Sequence, residues 1–197
     1  MSSHKKKPAV FLDRDGTINV DKHYLHKIDD FEFIPGALHA IKTLKDAGYL
    51  VVVVTNQSGV ARGYFNMDDV TRLHGHIQQE LAGAGTGIDA FYVCPHHLEK
   101  GLGEFRKECD CRKGRPGLLF QASADLDIDL QRSFMVGDKI ADIAAGENAG
   151  CQPILVLTGY GQESRLRIDE KRAIICADLA SAVDFILDHN KSNYCGD

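Results

Sequence analysis

Ala9-Val10-Phe11-Leu12-Asp13-Arg14-Asp15-Gly16-Thr17 decides the fold. The apolar run is too short for a signal segment or a membrane span, and it suits a strand covered on both faces. It ends at two carboxylates separated by one residue, and Gly16 permits a sharp turn after them. Strand-length runs of the same kind recur at 50–55, 90–94, 133–137, 153–157 and 173–176, after the first at 9–13.

Helix-period segments lie between these runs. Pro35 sits where a first helical residue belongs, Leu38, Ile41 and Leu44 recur at helical spacing, and Gly48 stops the run. Further helices are expected at 67–84, 116–126 and 141–149. A last helix follows an Asp178 cap, with Leu179, Ala182, Val183, Ile186 and Leu187 on one face. Strands alternating with helices predict βαβ units in a three-layer, Rossmann-like α/β fold with a parallel sheet. Segments 19–33 and 95–116 stand outside the alternation. With no internal repeat and no low-complexity linker, one domain over 1–197 is expected.

Composition narrows the function. The chain is 44% apolar and 26% charged with a net charge of −5, which argues against a nucleic-acid or anionic-membrane partner. The one cationic cluster, Lys5-Lys6-Lys7, reads as a solvated tail. No signal segment and no membrane span are evident, so a cytoplasmic protein is expected. A disulfide framework is therefore not expected of the six cysteines. Cys151 and Cys176 adjoin apolar runs and read as small buried hydrophobes, while Cys195 has no evident role.

In open parallel sheets ligands gather beyond the carboxyl ends of the strands, and the unusual polar residues sit there. Asp13 and Asp15 follow the first strand, Thr55 and Asn56 end the second, and Asp138 follows the fourth. A lone strand-end aspartate is often only a helix cap. Close carboxylates from converging strands repel and call for a cation, and hard oxygen ligands of this kind suit magnesium. Cys94-Pro95-His96 and Cys109-Asp110-Cys111 form two short ligand pairs that suit a closed, tetrahedral, structural zinc site within 94–111. His97 competes with His96 for the fourth position, and free thiols are the alternative.

The Asp13-x-Asp15-Gly16-Thr17 run, Thr55, Lys113 and Gly137-Asp138-x-x-x-Asp142 resemble, in order, the four motifs of the haloacid dehalogenase superfamily of phosphohydrolases. The resemblance implies that Asp13 attacks phosphorus and that Asp15 acts as general acid and then base. It implies Mg²⁺ held by Asp13, Asp138 and the backbone carbonyl of Asp15. Thr55 would hold phosphoryl oxygens and Lys113 would neutralise their charge. Asp142 reads as a supporting partner, with helix solvation as its alternative.

The zinc loop narrows the resemblance to two sister groups, the heptose-bisphosphate 7-phosphatases and the histidinol-phosphate phosphatases. The first matches closely over 11–20, 30–33, 52–59, 109–113 and 135–139. Carried over, that likeness places Asp21, Lys22, His23 and Tyr24 along the sugar and Thr55, Asn56, Gln57 and Ser58 along the phosphate pocket. Arg112, Lys113 and Lys139 would contact the substrate, a small sugar phosphate in the supply of ADP-heptose for lipopolysaccharide. Arg112 suits a second anionic group, with a tie to the zinc loop as its alternative. The stretch from Asp13 to Thr55 is too short for a large lid, so an open site with a minimal cap and a monomer are expected. A non-catalytic, zinc-ordered binding module is the rival from another class. One departure stands out: Gly114-Arg115-Pro116-Gly117 replaces the usual proline after the two cations. Gly114 is expected to loosen that backbone, and Arg115 to add a cation.

Overall fold

The computed structural model describes residues 6–169 and 171–194; Lys5 and Cys195 lie outside the described residues. In chain order the strands are β1 (Ala9–Leu12), β2 (Leu50–Asn56), β3 (Ala90–Cys94), β4 (Phe134–Gly137), β5 (Gln152–Val156) and β6 (Ile174–Cys176). The helices are α1 (Ala37–Asp46), α2 (Ser58–Ala61), α3 (Met67–Gly83), α4 (Gly117–Leu126), α5 (Ile140–Ala149), α6 (Gly161–Arg165) and α7 (Leu179–Tyr194). All six expected strands and all five expected helices are present, and the short helices α2 and α6 are additional.

The strands form one parallel sheet in the order β3-β2-β1-β4-β5-β6. Alternate residues of the central strands face opposite cores. Val10 and Leu12 of β1 pack with Val51, Val53, Ile41, Leu73, Ile77 and Val183, so α1, α3 and α7 cover one face. Phe11, Val52, Val54 and Met135 pack with Leu118, Leu119 and Ala145, so α4 and α5 cover the other. This double cover explains why the strands read as unbroken apolar runs.

Local chemistry sets the boundaries. Asn66 Oδ1 accepts the Asp69 N–H at 3.0 Å and Asp69 Oδ2 accepts the Asn66 N–H at 2.9 Å, a reciprocal cap that starts α3. Asp178 Oδ1 accepts the Ser181 N–H at 2.8 Å at the head of α7. The first helix begins after Pro35 rather than on it, because Gly36 takes a left-handed φ of 84° as its cap. The basic cluster is not wholly a free tail. Lys7 donates its N–H to the Asp127 carbonyl and accepts from Asp129, although its side chain is exposed. Cys151 and Cys176 are buried, as expected of small hydrophobes. The chain order reverses between β1 and β4, and the crevice at their carboxyl ends is where the polar residues meet.

Candidate active site

β1 delivers Asp13, β2 delivers Thr55 and Asn56, and β4 delivers Asp138 to one rim. Lys113 reaches the same place from the loop before α4 and is almost fully buried. Its Nζ lies 2.6 Å from Asp13 Oδ1 and 2.8 Å from Asp142 Oδ1. Asp142 is not solvated on its helix: it is buried, and its Oδ2 accepts the Lys139 N–H at 2.9 Å. Asn56 Oδ1 accepts the Lys113 N–H at 2.9 Å, tying that loop to the end of β2. Asp13 Oδ1 also accepts the Arg14 N–H at 2.7 Å. Among the described residues Oδ2 of Asp13 accepts no hydrogen bond, and Asp13 keeps 5% of its surface exposed. One oxygen is thus held and the other is free to act.

Oxygens of Asp13, Asp138 and Asp142 lie within 4.8 Å of one another. Burial pushes Asp13 up to about 6, Asp142 adds to the rise, and Lys113 opposes it. Burial and then the Asp13 charge push Asp138 up to about 7. Among the described residues the buried Asp138 Oδ1 has no hydrogen-bond partner; the Lys139 ammonium is 3.7 Å away. Only glycine fits beside this carboxylate, since a Cβ on Gly16 or Gly159 would each come within 2.2 Å of Asp138 Oδ2. A hard divalent cation satisfies both the unpartnered oxygen and the crowded charge, so Asp13 and Asp138 fit the expected magnesium site. Asp142 is committed to Lys113 and Lys139. The Asp15 carboxylate is not part of this cluster; it is bonded to Arg14, Asn19 and Gln57.

The raised carboxylates carry protons in the folded protein up to about pH 6 to 7, and a cation must displace them. The Mg²⁺-induced rise in Tm is therefore small at about pH 5 and several degrees larger at about pH 8, at roughly 2–4 °C per kcal/mol of linkage. Calorimetry with and without Mg²⁺ checks this, and a pH-independent rise contradicts it.

Asp15 sits in a cage of donors. Arg14 Nε reaches Oδ1 at 3.2 Å and Arg14 Nη2 reaches Oδ2 at 2.9 Å. Asn19 Nδ2 donates to Oδ1 and Gln57 Nε2 to Oδ2, each at 3.0 Å. Burial works to raise Asp15, but the Arg14 guanidinium and these donors outweigh it and hold the carboxyl below its usual range. Gln57 Nε2 also donates to Thr55 Oγ1 at 2.8 Å, which leaves the Thr55 hydroxyl proton free to donate elsewhere.

A cavity of about 280 Å³ opens beside Asp15, lined by Asp21, His23, Tyr24, Asn56, Gln57, Ser58, Lys139 and Tyr160 among others. His23 and Tyr24 both hold positive φ, 51° and 57°, an uncommon conformation that turns this loop over the cavity. Lys139 Nζ is 3.2 Å from Asp21 Oδ2 and 4.9 Å from the centre of the Tyr160 ring. Tyr160 is missing from the sequence-based set. Its N–H donates to Asp138 Oδ2 at 2.7 Å, and its hydroxyl pairs with His23 Nδ1 at 3.2 Å. Its one sequence signal is its place between two glycines just beyond the fifth strand.

The cysteine loop closes around His96. Sγ of Cys94 lies 3.6 Å from Sγ of Cys109 and 3.4 Å from that of Cys111, and His96 Nδ1 lies 3.3 Å from Cys111 Sγ and 3.9 Å from Cys94 Sγ. These spacings exceed a disulfide bond of about 2.05 Å. They match the edges, about 3.7 Å, of a tetrahedron with arms near 2.3 Å, so the four residues fit zinc. Burial pushes the Cys94 and Cys111 thiols up, a cost that a bound dication reverses. His96, not His97, stands with the three thiols; His97 Nδ1 accepts the N–H groups of Glu99 and Lys100 at 3.2 and 3.1 Å.

Comparison with known proteins fits this geometry. Residues 110–182 match the HAD-hydrolase-like family profile. The D-glycero-β-D-manno-heptose-1,7-bisphosphate 7-phosphatase of Haemophilus ducreyi is 51% identical over 182 residues, covering 91% of this chain and 97% of that one. The chain belongs to the D-glycero-β-D-manno-heptose-1,7-bisphosphate 7-phosphatase family. The Pasteurella multocida member is 52% identical over 154 residues, covering 78% of this chain and 83% of its own. The D,D-heptose 1,7-bisphosphate phosphatase of B. bronchiseptica, solved with magnesium and phosphate, superposes with a TM-score of 0.83. It is 35% identical, covering 92% of this chain and 99% of that one. The chain is thus a phosphoric monoester hydrolase of the HAD type.

Set beside that family, some expected residues stand elsewhere. Lys22 pairs with Glu32 at 3.1 Å and is not among the residues that line the cavity. Arg112 Nη1 donates to the His96 carbonyl at 3.1 Å, so in this state it braces the zinc loop. Arg115 adds no free cation, because it is exposed and paired with Glu108 and Asp110. Gly114 does not loosen the backbone. Its φ of 91° is closed to proline, its N–H donates to Ala141 at 2.9 Å, and its carbonyl accepts from Asn148 at 3.0 Å. Gly114→Pro, which restores the usual family residue, costs about 3 kcal/mol or more and lowers Tm by roughly 6–12 °C. Thermal unfolding of the variant checks this; an unchanged Tm contradicts the fixed turn.

Proposed function

We propose that the chain removes the 7-phosphate of D-glycero-β-D-manno-heptose 1,7-bisphosphate through an aspartyl-phosphate on Asp13, in the cytoplasmic supply of ADP-heptose for lipopolysaccharide. The observation that carries the chemistry is the divided state of Asp13. Oδ1 is clamped by Lys113 Nζ at 2.6 Å and the Arg14 N–H at 2.7 Å, while Oδ2 accepts no hydrogen bond among the described residues. The substrate assignment rests on the near-full-length likeness to the named relatives.

Asp13 Oδ2 attacks phosphorus as the bond from phosphorus to the C7 oxygen breaks. The departing alkoxide needs a proton, and Asp15, facing the cavity, is placed to give it. Its donor cage keeps Asp15 ionised at rest; a phosphate dianion brought beside it raises its proton affinity, so it takes up from solvent the proton it then gives to the alkoxide. Asp15 then takes a proton from the water that attacks phosphorus and frees Asp13. Thr55 Oγ1 has its proton available for a phosphoryl oxygen, and Lys113, anchored by Asp142, neutralises charge there. Magnesium would be held by Asp13, Asp138 and the backbone carbonyl of Asp15, and would supply further charge neutralisation. Asp21, His23, Tyr24, Ser58, Lys139 and Tyr160 line the space for the sugar. The chain acts as a monomer and as one domain over 1–197.

Phosphate release from both anomers of the heptose bisphosphate, set against histidinol phosphate at equal concentration, tests the assignment. Preference for the β anomer is the expected result. Equal or better turnover of histidinol phosphate overturns it.

A further inference from the structure

We propose that His74, on α3, is a positioning residue for the general acid/base: it accepts a hydrogen bond from Arg14 and so aims the guanidinium that holds the Asp15 carboxylate. The proposal rests on the role given to Asp15 above.

Arg14 is fully buried, so each of its donors needs a partner inside the protein. Nε and Nη2 go to Asp15, and Nη2 also reaches the Leu25 carbonyl at 3.0 Å. Nη1 faces His74 Nε2 at 3.3 Å, and among the described residues it has no other hydrogen-bond partner. A guanidinium only donates, so Nε2 must be the acceptor and the ring proton must sit on Nδ1. The ring is held in plane by stacking on Phe91 of β3, with centroids 4.4 Å apart and planes at 20°. Burial, and then the Arg14 charge, push the imidazole down to about 3, so it keeps its lone pair at neutral pH. A histidine that merely filled the core would need neither this ring orientation nor this acceptor. The chain of contacts runs from α3 through Arg14 to the carboxylate at the cavity wall.

The test compares leaving groups. A primary alkoxide needs a proton on departure, whereas p-nitrophenolate leaves without one. Full-length His74→Leu and His74→Gln proteins are assayed with Mg²⁺ on a primary sugar phosphate and on p-nitrophenyl phosphate. His74→Leu is expected to lower the single-turnover rate of leaving-group release roughly 10–100-fold on the sugar phosphate, to keep that rate within about 3-fold on the aryl ester, and to leave KM nearly unchanged. His74→Gln, whose Oε1 can accept from Arg14, restores the sugar-phosphate rate. Equal loss on both substrates, no loss on either, or failure of glutamine to restore the rate overturns the proposal. Nitrogen NMR of the unmodified protein tests it without a variant: the Nδ1–H tautomer of His74 is expected, and the Nε2–H tautomer overturns it. A wild-type protein that hydrolyses simple phosphates but not the heptose bisphosphate sinks the substrate assignment and leaves this test intact.

Discussion

Replacing Asp13 with asparagine lowers kcat by more than about 10⁴-fold and leaves the metal-free protein no less stable. The two halves of this outcome have separate causes. An amide cannot form the aspartyl-phosphate, so the covalent route is lost. Stability is spared because burial already pushes Asp13 up to about 6, so carrying the charge at neutral pH is unfavourable. The variant also relieves Asp138, since the Asp13 charge is, after burial, the main influence raising it. Lys113 keeps Asp142 as its counter-ion at 2.8 Å. Steady-state kinetics beside calorimetry check both halves. More than about 1% residual activity would mean that Asp13 is not the nucleophile.

Stripping the zinc loop with a chelator, then restoring Mg²⁺, lowers activity roughly 10²–10³-fold without unfolding the sheet. The loop has little core of its own. Leu98 and Leu102 are more than half exposed, and the segment carries only the short turn Gly103–Phe105. Metal ligation supplies what packing does not; structural zinc contributes about 10–16 kcal/mol in finger peptides. Cys111 lies two residues before Lys113, whose ammonium must stay within reach of Asp13 and Asp142. Loss of the tetrahedral anchor loosens the segment on the N-terminal side of that lysine, where among the described residues Asn56 holds its N–H. Metal analysis, limited proteolysis across 94–111 and activity on the same sample check this. Full activity after complete zinc removal would show that the loop does not position Lys113.

Much of the fold was legible because it obeys short-range periodicity. A strand covered on both faces needs a continuous apolar run, and each such run became a strand. The strand-end carboxylates were legible for the same reason, since a parallel sheet sends every carboxyl end to one rim. The cysteine cluster was legible apart from the choice between adjacent histidines, of which the folded loop brings His96 to the thiols and turns His97 Nδ1 to the N–H groups of Glu99 and Lys100. Gly114 was misread, because a glycine permits two opposite things, looseness and a left-handed turn. Only its bond to Ala141 shows which applies.

By itself, then, the sequence determined the layered sheet, the rim of aspartates and the cysteine quartet, because spacing along the chain dictates which way neighbouring side chains point. Tertiary structure alone decided which charges meet. Lys113 joins Asp13 across 100 positions, His74 joins Arg14 across 60, and Tyr160 joins Asp138 across 22. Such pairings depend on how whole elements pack, and a buried donor takes whatever acceptor the packed chain brings within about 3 Å.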